Sequence, residues 1–242
     1  MKLLAIDTSG HALSAAIAEN DVIIGSFGAD SGKNHSLELL PKLELLLEDK
    51  DLSLSDIDVF AVTIGPGSFT GLRIGLATLK AWSQAFAKPL IGISSLDAMA
   101  KTANQNGYVV PIFDARRNEV YCAIYFDGRR LSPDRAVEPE ALAQELAKIK
   151  ESIVFCGDGL KFSTKIFQKA LGENFNLPNH GNTLFMAEAT AKLAYERYKA
   201  GEFDDSASLV PIYLRLSEAE EKRLEADKNE SNRKKLSSAN KS

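Results

Sequence analysis

The sequence is poor in the residues that mark an extracellular framework or a metal centre. Of its 242 residues only two are cysteine, three histidine and one tryptophan. Cys122 and Cys156 cannot build a disulfide framework, so a reducing compartment is expected, with both thiols as small core residues. His11, His35 and His180 lie far apart, and none has a His or Cys at ligand spacing, so no metal site is expected. His35 starts a helix and reads as a solvated or capping residue. Charge of one sign is also lacking. Lys and Arg number 29 against 33 Asp and Glu, a net charge of −4. No basic field advertises nucleic-acid binding by this chain alone. No apolar run reaches transmembrane length, and the first is too short for a signal peptide. The expectation is a cytoplasmic protein without membrane contact. What is present, 45% hydrophobic and 26% charged residues, fits a globular chain of one large domain or two small ones.

The stretch that organises the chain is IGPGSFTGLRIG, residues 64–75. A branched apolar run, 59–64, precedes it and reads as a buried strand. A periodic segment follows and reads as a helix, giving strand, glycine turn, helix. Gly65 and Gly67 permit positive φ or close approach of another group. Ser68 or Thr70 can cap the helix. Such a turn aims backbone N–H groups at one spot and can hold phosphate. No Lys follows it, which excludes the P-loop pattern. The spacing Gly65, Gly67, Gly71 is one residue longer than the dinucleotide fingerprint. The residues alone leave two readings open: a phosphate cradle, or a tight turn with a capped helix.

In chain order, strands at 3–7, 13–18 and 22–27 form an antiparallel meander. A leucine-rich helix follows at 36–49. Leu39, Leu40, Leu43, Leu46 and Leu47 form its core stripe, with Leu37 and Leu45 outside it. After the strand, turn and long helix (69–87), a strand at 89–94 and a helix at 95–106 complete βββαβαβα. The pattern then restarts. An offset of 107 residues lays Asp114 on Asp7, Ala123 on Ala16 and Ile124 on Ile17. Strands are expected at 109–114, 119–126 and 153–156, and helices at 138–148, 160–171 and 183–199. Gly157-Asp158-Gly159 takes the place of Gly65-Pro66-Gly67. An internal repeat of this kind implies two similar α/β halves. The expected division is 1–104 and 107–200, with 201–216 returning to the first half and 217–242 a disordered tail.

The candidate chemistry is sparse. Asp7, Thr8 and Ser9, with Gly65, Gly67 and Ser68, could contact phosphate, or Asp7 and Asp114 could simply satisfy turn N–H groups. Ser14, Ser36 and Ser68 lack the strand–elbow context of a nucleophile. The long helix carries apolar residues in almost every direction, with charge and amide confined to Arg73, Lys80 and Gln84. Either its second side is covered by the chain's own elements, or a partner covers it.

IGPGSFTGLRIG, the opening LLAIDTS, NHSLELLP at 34–41 and PIYLR at 211–215 together resemble the TsaB (YeaZ) family, over roughly residues 1–216. The resemblance implies the actin/sugar-kinase/heat-shock ATPase (ASKHA, ribonuclease H-like) fold, α/β with duplicated βββαβαβα domains. It implies a non-catalytic scaffold or activating subunit for threonylcarbamoyl transfer to N6 of adenosine 37 in ANN-decoding tRNAs. The implied partners are the transferase TsaD, as a heterodimer, and the ATPase TsaE. The isolated chain would form a homodimer, and tRNA would be met only through the complex. No cofactor is implied as tightly bound. ATP or ADP would sit at the interface of the assembled complex. TsaD carries a His-x-x-x-His metal pair where Ser95 and Met99 stand here, and neither residue replaces an imidazole. The partner surface implied is Leu37, Leu40 and Leu45 with Leu72, Leu76 and Lys80. Asp7, Thr8, Ser9, Gly65, Gly67 and Ser68 become a vestigial nucleotide site. The alternatives are an ATPase or kinase of the same fold, or a protease of the glycoprotease family.

Overall fold

The structure is a computed structural model that describes residues 1–30, 34–179 and 185–215. The tail expected at 217–242, and His180, lie outside the described residues. Met1–Ile212 forms one compact unit, and the chain from Tyr213 is a second.

The chain begins with β1 (Lys2–Asp7), β2 (Leu13–Glu19) and β3 (Val22–Ala29), followed by α1 (His35–Asp49). Next come β4 (Val59–Gly65), α2 (Phe69–Ala85), β5 (Leu90–Ser94) and α3 (Ser95–Ala103). The second half starts with β6 (Tyr108–Asp114), β7 (Val120–Cys122), β8 (Tyr125–Phe126), β9 (Arg129–Arg130) and β10 (Arg135–Val137). It ends with α4 (Pro139–Leu146), β11 (Ile153–Cys156), α5 (Leu160–Leu171), β12 (Phe175–Asn176) and α6 (Ala187–Lys199). One sheet has the order β3-β2-β1-β4-β5, and the other repeats it as β10-β7-β6-β11-β12. In each, the first strands pair antiparallel, and the later ones join in parallel through helical crossovers. The duplication inferred at an offset of 107 therefore appears as two sheets of one topology. Residues 3–7 and 109–114 lie in different sheets.

Alternation along the strands sorts the core into layers. Leu4 and Ile6 of β1 point to one face, where they meet Leu39 and Leu43 of α1 and Leu76 and Leu79 of α2. Leu3 and Ala5 point to the other, into a core shared with Leu96 and Met99 of α3, Ala191 and Ala194 of α6, and Val109 and Phe113 of β6. Val110 and Ile112 turn away from that core towards Leu142 of α4 and Phe167 of α5. The stack is thus helices, sheet, helices, sheet, helices.

Two details differ from the sequence reading. The strand expected over 119–126 is interrupted at Ala123 and Ile124. There the backbone bonds elsewhere: Ile124 N–H donates to Ser132 Oγ at 2.9 Å, and Leu131 N–H to the Ile124 carbonyl at 2.7 Å. The half drawn to 200 contains α6, yet α6 lies against the first sheet. Ala187 N–H donates to Ser14 Oγ of β2 at 3.0 Å, and Arg197 Nη1 to the Gly92 carbonyl of β5 at 2.7 Å. Alanines 187, 189, 191 and 194 are buried, and such small side chains let the helix sit close to the strands.

The rotation of α1 follows from the same packing. Leu39, Leu43, Leu46 and Leu47 are buried, while Leu40, placed in the core stripe by periodicity, is 52% exposed. Replacing Leu43 by Ala should lower unfolding stability by about 2–5 kcal/mol. Leu40→Ala should stay within about 0.5 kcal/mol of the parent. Urea unfolding followed by circular dichroism separates the two; equal losses would mean that α1 is rotated from the position described.

Candidate functional site: the glycine turn and its surroundings

The glycine turn joins β4 to α2, and the end of β1 lies against it. Ser68 Oγ accepts from Gly71 N–H at 3.2 Å and caps the helix. The turn is filled, however, by the chain's own backbone. Ser68 N–H donates to the Ser9 carbonyl at 2.6 Å, and Thr8 Oγ1 donates to the Gly71 carbonyl at 2.7 Å. A Cβ added at Gly67 would stand 2.3 Å from the Ser9 carbonyl oxygen, and one at Gly71 2.0 Å from that of Thr8. Gly75, a turn further along α2, leaves room for Thr8 Oγ1. Gly65 has φ +118°, and a Cβ there would meet the Ile212 carbonyl at 2.5 Å. The glycines are thus required by close approach of backbone, and the approaching group belongs to the protein itself.

Asp7, Thr8 and Ser9 are wholly buried. Asp7 Oδ1 accepts from Ser9 N–H at 3.0 Å, Ser9 Oγ at 2.6 Å and Thr63 Oγ1 at 2.6 Å. Among the described residues, Asp7 Oδ2 has no hydrogen-bond partner. Burial pushes the Asp7 carboxyl above its ordinary value, and the hydrogen bonds from Ser9 and Thr63 oppose that rise. Of the two readings left open for these groups, the observed contacts follow the second: they are turned inward, with Asp7 bonded to the Ser9 N–H of its own turn, and not set out towards phosphate. His35, read as solvated or capping, is buried and near enough to Asp7 for its charge to favour the carboxylate.

The second half builds its counterpart differently. Asp158, between Gly157 and Gly159, accepts Asp114 N–H at 3.0 Å, and burial pushes its carboxyl up. Asp114 is only partly buried and accepts Arg116 N–H at 2.7 Å. Ser95 and Met99 are both in the core. Ser95 Oγ accepts Gly65 N–H at 3.1 Å, and the Met99 sulfur fills the space beside Gly157. Among the described residues, no three His, Cys, Asp or Glu side chains gather as a metal site would require.

The residues read as a partner surface divide in two. Leu37 and Leu45 are 75% and 64% exposed, and with Leu40 they stand on the outer side of α1, with the exposed Glu44 and Glu48 among them. Leu72 and Leu76 are 0% and 4% exposed, so for them the reading fails: they are internal core. Lys80 is spoken for within the chain, its Nζ donating to the carbonyls of Ala207 at 3.1 Å and Leu209 at 2.9 Å. The returning chain therefore meets α2 at Lys80, while Arg73, Ala77, Ala81 and Gln84 stay exposed along that helix.

One polar cluster was not foreseen. Asp97 Oδ1 accepts from Tyr125 Oη at 2.8 Å and from Arg130 Nη2 at 2.7 Å. Arg130 also reaches Ser94 Oγ at 2.9 Å and pairs with Asp134. It ties the start of α3 to the β8–β9 hairpin, and so one half to the other. No local signal marks it, because its members are brought together only by the packing of the two sheets.

Comparison with known proteins follows this geometry. Residues 25–223 match the family described as TsaD, tRNA N6-adenosine threonylcarbamoyltransferase. A Bacillus subtilis protein named tRNA threonylcarbamoyladenosine biosynthesis protein TsaB is 34% identical over 236 residues, covering 94% of this chain and 100% of that one. The solved structure of YeaZ from Pseudomonas aeruginosa superposes with a TM-score of 0.75 at 27% identity, covering 88% of this chain and 99% of that one. An ROK hexokinase from Thermus thermophilus, 11% identical with a TM-score of 0.52 over 83% of this chain and 100% of its own, shares the fold alone. The fold is that of the actin, sugar-kinase and heat-shock ATPase class.

Two variants test this description of the turn. Gly71→Ala forces a Cβ against the Thr8 carbonyl and should cost about 3 kcal/mol. Gly128→Ala, at positive φ but in open space, should cost only about 1–2 kcal/mol. Chemical denaturation measures both, and a Gly71→Ala chain as stable as the parent would show the turn to be open. Asp7→Asn keeps an acceptor at Oδ1 and removes the buried charge. With the folded-state value raised, the native chain holds its proton more readily than the unfolded one, so the parent loses stability as pH rises through that window. Asn should therefore melt higher than the parent at neutral pH. The difference should shrink as pH falls towards the ordinary carboxyl value of 3.8. A difference that does not vary with pH would mean that Asp7 is not held in this way.

Proposed function

The chain belongs to the TsaD family and, within it, to the TsaB (YeaZ) proteins, and from that premise we propose that it is a scaffolding subunit without chemistry of its own. Its role lies in threonylcarbamoyladenosine biosynthesis. In this reading it supports the transfer of threonylcarbamoyl to N6 of adenosine 37 in ANN-decoding tRNAs. It does so by pairing with a TsaD-type transferase that the ATPase TsaE joins.

The observation that carries the pairing is the outer face of α1. Leu37, Leu40 and Leu45 are exposed on a helix whose other leucines already fill the core. Burying one such side chain is worth about 1.5–3 kcal/mol, so a partner helix laid across three of them gains enough to anchor an interface. The surface is α1 rather than α1 with Leu72 and Leu76 of α2. With no transferase present, the same face is open to a second copy of the chain.

The glycine turn supports the absence of chemistry. A kinase or ATPase of this fold needs that turn open to phosphate, and here the backbone of Thr8 and Ser9 occupies it. ATP or ADP therefore belongs to the interface of the assembled complex and not to this turn. Ser95 and Met99, packed in the core, leave no imidazole pair for a metal.

Leu37→Glu and Leu45→Glu should each weaken association with the transferase at least about a hundredfold, roughly 2.7 kcal/mol. A charge would otherwise be buried unpaired. The free variants should keep the circular dichroism of the parent, because both side chains face outward. Calorimetry against the transferase measures the effect, and unchanged affinity would move the interface away from α1. The purified chain, given threonylcarbamoyl-adenylate and substrate tRNA, should yield no modified nucleoside; product formed without a partner would refute the scaffolding role.

A further inference from the structure

The charge of the molecule is unevenly arranged, and one helix stands out. α5 reads LKFSTKIFQKAL, with three lysines and no acid. Its buried side is Ser163, Phe167 and Leu171. Lys161, Lys165 and Lys169 lie four residues apart and are all exposed. They form one row about 12 Å long on the outer side of the helix. Phe162, 42% exposed, sits beside that row with part of its ring bare. Among the described residues, no ion pair engages any of the three lysines, whereas Lys42, Lys50, Lys88 and Lys101 each have a carboxylate partner.

The row continues at its start. The turn between β6 and β7 holds Arg116, Arg117 and Asn118 at φ +64°, +53° and +60°. Three successive left-handed residues without glycine are costly. Arg116, with its side chain 81% exposed, reaches Asp114 at 3.2 Å. Arg116 and Lys161 both lie near enough to Asp158 to act on its carboxyl. Asp114 and Asp158 offset charge at this end, and the exposed Glu173 follows Lys169 at the other, so the row is least offset at its middle, Lys165.

We propose that the lysine row of α5, flanked by Arg116 and Phe162, is the surface through which this chain touches the phosphate backbone of the substrate tRNA. The inference rests on the role in tRNA modification proposed above and adds a direct contact to it. The argument is one of complementarity. Unpaired lysines in a line answer the regular charge of a nucleic-acid backbone, and each contact releases counterions, which makes the binding salt-dependent. An aromatic ring beside such a row offers a face on which an unpaired base stacks. Three lysines carry no sequence information, which suits a chain that helps to hold an RNA whose modified base is chosen elsewhere. The row lies on the helix layer opposite α1, so a partner seated on the leucine strip leaves it free.

The experiment uses the complete assembly with transferase and ATPase, and substrate tRNA as the probe. Lys161→Glu, Lys165→Glu and Lys169→Glu are combined in one chain, and three Arg substitutions at the same positions are combined in another. The Glu chain should enter the complex as the parent does. Its tRNA affinity should fall at least about tenfold, and the slope of log affinity against log salt should fall by about 2–3. The Arg chain should match the parent. Unchanged affinity and slope in an assembled Glu complex would overturn the proposal. So would lysine-dependent binding to phosphatidylglycerol vesicles without binding to tRNA. Should the parent chain fail to join the transferase, the pairing proposed above is what fails. The same titration on the isolated chains then decides the tRNA contact: parent binding lost in the Glu chain supports it, and no difference between them overturns it.

Discussion

The contact on which most else depends is the meeting of two backbones, Thr8 and Ser9 against Gly67 and Gly71. Carbonyl oxygens stand where Cβ atoms would be, so the first turn of α2 is pressed onto the end of β1. That seating fixes the rotation of α2, with Leu72, Leu76 and Leu79 directed inward. The same rotation presents Lys80 to the carbonyls of Ala207 and Leu209. The returning chain then reaches β4, where Ile212 N–H donates to the Ile64 carbonyl at 2.6 Å and the Ile212 carbonyl fills the space beside Gly65. Each contact positions the next. The geometry that would open this turn to phosphate would also release α2 and the strand edge behind it.

The architecture was legible in the sequence because period and punctuation agree with tertiary structure here. Alternating strands, Asn20 and Asp127 at positive φ in the hairpin turns, and a repeat at a fixed offset all express local rules. The helix expected at 160–171 is α5 residue for residue. Side-chain exposure was less legible, and α2 shows why. Its all-round apolar character is real, but periodicity cannot say what covers the second face. Part of that face, at Lys80, meets a segment more than 120 residues later, brought there only by the fold, while Arg73, Ala77, Ala81 and Gln84 stay exposed. On α1, Leu37 and Leu45, which fall outside the core stripe, have no such cover and are exposed.

The candidate site stayed open between two readings for a related reason. DTS after a strand and GPGS before a helix are each the right chemistry for phosphate. Taken separately, each turn is a cradle. Brought together, the first turn fills the second: the Ser9 carbonyl accepts Ser68 N–H and Thr8 Oγ1 donates to the Gly71 carbonyl, while Asp7 is satisfied by Ser9 and by Thr63 of β4. Sequence shows the donors and acceptors but not that they satisfy one another. Burial of Asp7, with Oδ2 left without a partner among the described residues, is a polar cost the fold sustains in order to hold this junction closed.

The two outer helix layers are unlike in chemistry, and the layered core explains how they stay so. α1 packs Leu39 and Leu43 on the outer face of the first sheet, and α5 packs Phe167 on the outer face of the second. Between them lies the shared core of α3 and α6, closed across the halves by Arg130 on Asp97. An apolar strip gains from burial whatever the ionic strength, whereas a lysine row depends on it strongly. Neither surface shares a packing residue with the other, so substitutions on one should add to those on the other without coupling. A chain whose glycine turn is filled by its own backbone presents two separate surfaces, exposed leucines on α1 and a row of lysines on α5.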